Sequence, residues 1–437
     1  MNLQNRPWLV LAGSAVILLC FWQWATKILA PAYGAKVLAT RRPIGNNSDL
    51  YPRWLGAREL LLHGRNPYSP QITREIQSGF YGRPLDPNNP SDPSAREAFV
   101  YPLYVVFLLS PAVTLPFATV ALIARWVLLA AIACSVPLWM YALKLHARKR
   151  YILAATLLAL ASFPAAEEYF QHNLAALSML FLAAAAAAAT RKWLSLCGFL
   201  LALATIKPDA AALVIFWFLL WAVGSWKQRS RLVWSFTLTL AALLISSEAL
   251  LPGWIPQFLS AVREYPTYGA DPSILQLFLP GRLSDLLAGA LIIFSIAIFW
   301  RRRKSAIDSE AFSWTLAWAA TVTLVVLPKQ AAYNQLLLIP ALLLFAHRCG
   351  NFAGTTFLAR VAIKGALACQ LWQWAAATVL ALASLVLPSA HIRIAAEVPM
   401  YTLLALPPLT FLAVAFCAAP RKSPVPDEMA PTSDKIP

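Results

Sequence analysis

The sequence predicts an all-α, polytopic membrane protein with about twelve spanning helices, and three observations carry that prediction. Hydrophobic residues make up 59% of the 437 and charged residues 13%, against about 45–50% and about 25% in soluble domains. Apolar runs close to the ~20 residues needed to cross a bilayer recur along the chain. Basic residues gather in alternate connections between those runs, the bias that orients membrane proteins. The mean hydropathy of +0.61 agrees. The formal charge of +17, from 36 Lys and Arg against 19 Asp and Glu, would point to nucleic acid in a soluble chain. Here topology accounts for it, and no nucleic-acid partner is expected.

The first run, residues 8–30, is too long for the apolar region of a signal peptide and is followed by no clear cleavage site. It reads as an uncleaved signal-anchor. Further spans are expected at 117–143, 151–169, 173–190, 193–207, 209–226, 232–251, 284–300, 311–327, 333–347, 366–387 and 399–419. With the N-terminus inside, the cytoplasmic connections hold Lys144, Arg148, Lys149 and Arg150, then Arg191 and Lys192, then Lys227, Arg229 and Arg231. Arg301, Arg302, Arg303 and Lys304 follow, then Arg348, Arg360 and Lys364. The short outside connections hold Lys207, Arg263, Arg282, Lys329 and Arg393. Both termini are therefore expected in the cytoplasm, with the chain multi-pass in the plasma (inner) membrane. Residues 1–419 form one integral-membrane domain, and 420–437 (from Arg421, RKSPVPDEMAPTSDKIP) read as a disordered polar tail. The alanine run Ala183–Ala189 suits close helix packing. The six cysteines form no CxxC or zinc-ligand spacing and support no disulfide framework.

One connection is unlike the rest. Residues 31–116, about 85 in number, lie outside between the first two spans and contain the juxtamembrane helices of a large first loop. Its end, FVYPLYVVFLLSPAVTLPF, is apolar but broken by prolines, and is read as juxtamembrane or re-entrant. If it crossed, every later loop would change sides and the charge bias would invert. Within the loop, Ser48 can cap a helix from Tyr51 to His63 that Gly64 ends. Leu55, Leu60, Leu61, Leu62 and Trp54 make it amphipathic, with Arg53, Arg58 and Glu59 as a wet face against the membrane surface. Asp49 stands at the start of that helix, either completing the cap and its dipole or serving as a base at the membrane–water boundary.

The string DLYPRWLGARELLLHGRNPY, Asp49 to Tyr68, resembles the first-loop motif of glycosyltransferase family 87. Those enzymes are polyprenol-phosphate-mannose-dependent mannosyltransferases of the GT-C superfamily. Phe99-Val-Tyr-Pro-Leu with Pro111 and Leu115-Pro116 is similar to the family's YPPL…P…LP stretch, and Gln171-His172-Asn173 to its GQxN segment. Gly198 through Lys207-Pro208 resembles its AG…KP hairpin, and Leu327-Pro328…Tyr333-Asn334 with Leu336 to Pro340 its late loop. The motifs run in order over about residues 45–345. Departures occur as well: Phe170 replaces a glycine, Pro102-Leu103 a double proline, and the late loop PKQAAYN has no histidine.

The resemblance implies a GT-C-type helical bundle that moves a hexose, expected to be mannose, from a polyprenyl-phosphate-linked donor to a hydroxyl acceptor. The acceptor would be a membrane lipid or glycan on the extracytoplasmic face. Asp49 is then the catalytic base, since a positioned carboxylate accepting the hydroxyl proton contributes roughly 10²–10⁴-fold. The substrate-binding candidates are Lys207, Lys329, Gln171, His172, Asn173, Arg53, Tyr101 and Asn334. Lys207 and Lys329 either cradle the leaving phosphate or snorkel to headgroups. His172 and Gln171 either donate to phosphate or sugar, or are structural. Glu167 and Glu168 are read as orienting Lys207 or His172. No cofactor is expected, a divalent metal on those two with Asp49 being the minor alternative. Arg125, inside a span, needs a partner in the bundle. Arg263 and Glu264 frame the acceptor pocket or pair with one another. The aromatic cluster of Tyr101, Tyr104, Trp54, Trp254 and Tyr265 forms an interfacial belt or stacks on sugar. Lys36, Arg41, Arg42, Arg58, Arg65, Arg74, Arg83 and Arg96, with Arg53, make the first loop basic, which suits an anionic donor. A twelve-helix secondary transporter or a flippase of lipid-linked sugar is the alternative, although no repeat of two related halves is visible.

Overall fold

The computed structural model describes residues 6–39, 45–86, 89, 92, 97–264, 272–279, 281–327, 331–348 and 356–418. The elements among them are helical, with no strand. In chain order they begin with α1 (Pro7–Gln23), a π-helical stretch Trp24–Leu29, and α2 (Ala30–Ala39). Then come α3 (Leu50–His63), α4 (Pro70–Tyr81), α5 (Val105–Leu109), α6 (Phe117–Ala142), α7 (Lys149–Leu160) and α8 (Phe163–Gln171). The series continues with α9 (Ala175–Thr190), α10 (Leu194–Ala204), α11 (Pro208–Val223), α12 (Trp226–Leu250), α13 (Trp254–Glu264) and α14 (Ile274–Phe278). It closes with α15 (Arg282–Arg302), α16 (Glu310–Val326), α17 (Ile339–Arg348), α18 (Phe357–Ala383), α19 (Ser389–Ile394) and α20 (Leu406–Ala418).

Five of these are long and apolar enough to cross a membrane: Pro7–Lys36, Phe117–Ala142, Trp226–Leu250, Arg282–Arg302 and Phe357–Ala383. The bent pair α7 and α8, 57° apart, makes a sixth if it is one broken span. The other expected spans are shorter helices. α10 has 11 residues, which at 1.5 Å per residue gives about 16 Å against a hydrocarbon core of about 30 Å. Of the twelve spans expected, five to six are thus long enough to cross, and the others are short apolar helices. Several of the short ones sit inside. Along α9 and α16 most side chains are buried and along α11 half are, whereas α12 and α15 expose Leu238, Ile245, Ile293 and Phe294. Large apolar side chains exposed in such number need an apolar solvent. This is the architecture of a helical, membrane-embedded protein.

Two apolar cores meet at one end of the bundle. The larger joins α6, α9, α10, α11 and α16 through residues such as Trp139, Leu182, Trp217 and Leu324. Gly198 permits the closest approach within it: a Cβ there would lie 2.2 Å from the Leu232 carbonyl oxygen of α12. The second core belongs to the first loop and packs Leu50, Trp54, Ile72, Ile76, Phe99, Leu103 and Val106 against Leu174, Ile206 and Trp254. α3 ends at Gly64 with φ of 66°, whose N–H returns to Leu60 while that of Arg65 returns to Glu59, closing the helix as the sequence predicts. α4, which the sequence reading did not assign, starts at Pro70 behind a Ser69 cap and buries Ile72, Ile76 and Phe80 on one face. α5 is five residues long and buries Val105, Val106 and Leu109, so the proline-broken segment packs into the loop layer.

One expectation about α3 is overturned. Arg53 and Glu59, assigned to a wet face, are each 8% exposed. The helix is covered on several sides by α4, α5 and Phe99, so it does not lie as a simple amphipathic helix on a surface. Gly56 shows the closeness of that cover: a Cβ there would meet the Phe99 ring at 2.3 Å. Glu59 is kept in the interior by Arg65, whose guanidinium donates to its carboxylate at 2.8 Å.

Candidate functional site

The site forms where the loop core and the bundle core touch. Leu174 and Ile206 belong to the loop core, and each adjoins a polar residue of the site, Asn173 and Lys207. The bend between α8 and α9 is made by His172, in the left-handed region at φ of 54°. That bend receives the start of α3: the Asp49 N–H donates to the Gln171 carbonyl at 2.8 Å, and Ser48 Oγ donates to the same oxygen at 3.0 Å.

Asp49 occupies the position before α3, but its side chain makes no cap hydrogen bond. Instead Asn173 Nδ2 donates to Asp49 Oδ2 at 2.7 Å. The amide has one workable orientation. Asn173 Oδ1 accepts the Ala175 N–H at 3.0 Å and the Tyr101 hydroxyl at 3.5 Å, which turns the NH₂ toward the carboxylate. Asn173 is buried and Asp49 is half-buried, so the second carboxylate oxygen is the one left for chemistry. The structure therefore makes Asn173 a holder of Asp49.

Two buried cations accompany this carboxylate. Arg53 lies one turn further along α3, donates to the Asp49 carbonyl, and stacks its guanidinium 4.3 Å from the centre of the Tyr101 ring. Lys207, between α10 and α11, is 6% exposed. Its Nζ lies 5.0 Å from the centre of the Tyr333 ring and 4.0 Å from the Asp209 carboxylate. It points into protein, so the snorkelling alternative does not describe it. The segment between α10 and α11 is pinned by the loop layer: Tyr104 Oη lies 2.9 Å from both the carbonyl and Oγ1 of Thr205. A buried cation requires such partners as Tyr333 and Asp209.

The late segment closes the far side as the 3₁₀ turn Ala332–Leu338. Glu167 accepts the Tyr333 N–H, which brings that ring to Lys207. Asn334 is buried there, its Oδ1 without a hydrogen-bond partner. Glu168 is fully buried and accepts the Ala176 N–H at 2.9 Å. The two glutamates thus fix the start of α9 and the 3₁₀ turn. Among the described residues no three His, Cys, Asp or Glu side chains gather as a metal site.

His172 is buried and its imidazole is pushed down to about 4, by desolvation first and by the nearby Arg125 second. It is neutral near pH 7 and offers no charge to a phosphate. Gln171 contributes through its backbone carbonyl. Arg125 finds its partner in Tyr169, donating to the carbonyl at 3.3 Å with the ring 4.3 Å away. Arg263 and Glu264 sit exposed at the end of α13, with Glu264 accepting Ser260 at 3.2 Å. Trp54 donates to the Ala112 carbonyl at 3.1 Å, and Tyr104 stands edge-on to Trp254 at 6.3 Å. These aromatics serve the loop core. Lys329, Tyr265 and the tail from Arg421 lie outside the described residues.

The structure brings together Asp49, Arg53, Tyr101, His172, Asn173, Lys207 and Asn334 from the residues proposed on sequence. Sequence reasoning missed Tyr333 as the face beneath Lys207, and Asp209 as its counter-charge. Asp209 had a signal, an acid in the first turn after Pro208. No family model, curated protein or solved structure matches the chain.

Proposed function

We propose that the protein is a membrane glycosyltransferase moving a hexose, taken to be mannose, from a polyprenyl-phosphate-linked donor to a hydroxyl acceptor on the extracytoplasmic face. The observation that carries this reading is a carboxylate, Asp49, clamped on one oxygen by buried Asn173 and accompanied by buried Arg53 and Lys207. The ordered resemblance of its motifs to glycosyltransferase family 87 supplies the reaction class. In that reaction the free Asp49 oxygen takes the acceptor's hydroxyl proton as the hydroxyl oxygen bonds to the sugar's C1. The bond from C1 to the phosphate oxygen breaks, and the lipid phosphate leaves with the electron pair. Lys207 and Arg53 offset its growing charge, in a setting where fixed cations act more strongly than in water.

The short helices α9, α10, α11, α16 and α20, with α17 and the α7–α8 pair, complete about twelve crossings of a GT-C-type bundle. Short or irregular backbone at membrane depth is tolerated where protein surrounds it. The basic connections put both termini in the cytoplasm of a plasma (inner) membrane protein. The acceptor is a membrane lipid or glycan.

Asp49→Ala and Asp49→Asn test the reading. Purified full-length variants should insert normally and lose transfer from polyprenyl phosphomannose by roughly 10²-fold or more. Unchanged transfer by either would overturn the assignment of Asp49. Solute uptake by reconstituted wild-type protein, without sugar transfer, would favour the transporter.

A further inference from the structure

The contacts of Ser48 and His172 fix a proton position that bears on what the imidazole can bind. Ser48 Oγ lies 3.0 Å from the Gln171 carbonyl oxygen and 3.0 Å from His172 Nδ1, and it accepts the Leu50 N–H at 3.3 Å. A serine hydroxyl has one hydrogen to give. Given to Nδ1, it would leave two oxygens facing each other at 3.0 Å with no hydrogen between them. Given to Gln171, it frees the Oγ lone pair for an Nδ1–H, and both contacts become hydrogen bonds. Only the second arrangement makes both contacts hydrogen bonds, so the imidazole carries its hydrogen on Nδ1 and a bare lone pair on Nε2.

That Nε2 is buried and has no hydrogen-bond partner, and the residue as a whole is 4% exposed. Its ring is held in place by the Ser48 contact and by a backbone N–H donated to the Glu168 carbonyl at 2.9 Å. Asn173, the holder of Asp49, is the next residue. A buried acceptor left without a donor is unfavourable, and a ligand hydroxyl would satisfy it, whereas a phosphate oxygen, itself an acceptor, would be repelled. Burial and Arg125 keep the ring neutral near pH 7, so this acceptor character persists where the protein works.

We infer that His172 Nε2 accepts a hydrogen bond from a carbohydrate hydroxyl bound beside Asp49, making His172 a substrate-positioning residue and not a phosphate ligand. The inference rests on the transferase reading for the place of the sugar. The hydroxyl belongs either to the transferred sugar or to the acceptor, and two probes separate these sources.

The test measures binding to full-length protein in lipid nanodiscs with citronellyl phosphate, citronellyl phosphomannose and octyl mannoside. His172→Asn retains a side-chain amide where Nδ1 meets Ser48 and tolerates the left-handed backbone, but lacks an acceptor at the Nε2 position. His172→Gln places its amide oxygen near that position. His172→Asn should lose about five- to tenfold in affinity for one mannosyl probe, the size of one neutral buried hydrogen bond. Its affinity for citronellyl phosphate should stay unchanged, and His172→Gln should recover most of the loss. Loss confined to citronellyl phosphomannose places the hydroxyl on the donor sugar, and loss confined to octyl mannoside places it on the acceptor. Unchanged affinity for both mannosyl probes, or an equal loss on all three, would overturn the inference. If wild type binds octyl mannoside but neither phosphate probe, the transferase reading falls, and the His172 contact is judged on the mannoside alone. Binding of none of the three overturns both.

Discussion

Replacing Asn173 separates the two tasks that one amide performs. Its Nδ2 reaches Asp49 Oδ2 at 2.7 Å, and its Oδ1 takes the Ala175 N–H at 3.0 Å at the start of α9. The first bond has a charged acceptor, worth about 1.5–3 kcal/mol. At about 1.4 kcal/mol per decade this is roughly 10- to 100-fold in rate if it is all expressed in positioning the base. The second resembles a helix cap, worth about 1 kcal/mol. Asn173→Ala removes both, so transfer and the unfolding midpoint should fall together. Asn173→Asp keeps the cap but replaces the clamp with a second carboxylate facing Asp49. Two carboxylates that close do not both stay ionised, so a proton is held between them and the base is lost. Asn173→Asp should therefore approach wild-type stability at mildly acidic pH while losing at least tenfold in transfer. The assay pairs mannose transfer from polyprenyl phosphomannose with thermal unfolding in the same detergent. Wild-type turnover by Asn173→Asp would refute the claim that this hydrogen bond positions Asp49.

Three further outcomes follow from the same geometry. The His172 imidazole sits at about 4 in the folded protein against about 6.5 when exposed, so the unfolded chain binds its proton first. Its contribution to stability is whole above pH 6.5 and is lost as pH falls toward 4; unfolding midpoints at pH 7.5 and 4.5 should differ less in His172→Asn than in wild type, and equal differences would refute the assignment. Lys207→Met should weaken binding of citronellyl phosphate at least tenfold while Lys207→Arg retains part of it, and equal binding by Lys207→Met would remove the lysine from the phosphate site. Gly198→Leu should abolish a monodisperse product in size-exclusion chromatography, because overpacking costs about 1–3 kcal/mol even where neighbours yield, and the obstacle here is the Leu232 backbone.

The helical bundle was legible in the sequence because lipid imposes a coarse rule: segments that meet it must be apolar and must satisfy their own backbone. Residue counts alone then mark α6, α12, α15 and α18. The lengths of the interior helices were less legible. Leu194–Ala204 reads as the centre of a longer apolar run, since Thr205 and Ile206 carry no breaking signal before Lys207-Pro208. Its end at Thr205 also carries the contact with Tyr104, a partner from a distant loop. The loop helices divide in the same way. The end of α3 is written locally at Gly64, while the burial of Arg53 and Glu59 comes from α4, α5 and Phe99 folding over it.

The candidate site follows this division between residue types and partners. Asp49 stood out as an acid at the head of a loop helix, yet local rules equally favoured a cap there. The outcome depends on Asn173, 124 residues away, and on the Tyr101 and Ala175 contacts that orient its amide. Lys207 likewise had a local alternative, the headgroup region, that was removed by Tyr333 and by burial against the loop core. For Asp49 the decisive partner arrives from across the seam between the loop layer and the bundle, and for Lys207 the loop core across that seam completes the burial. A residue's type told what it could do, and the seam determined which of those uses the surrounding groups permit. That makes the loop–bundle seam, more than any one motif, the part of the protein where substitutions should alter transfer without preventing insertion.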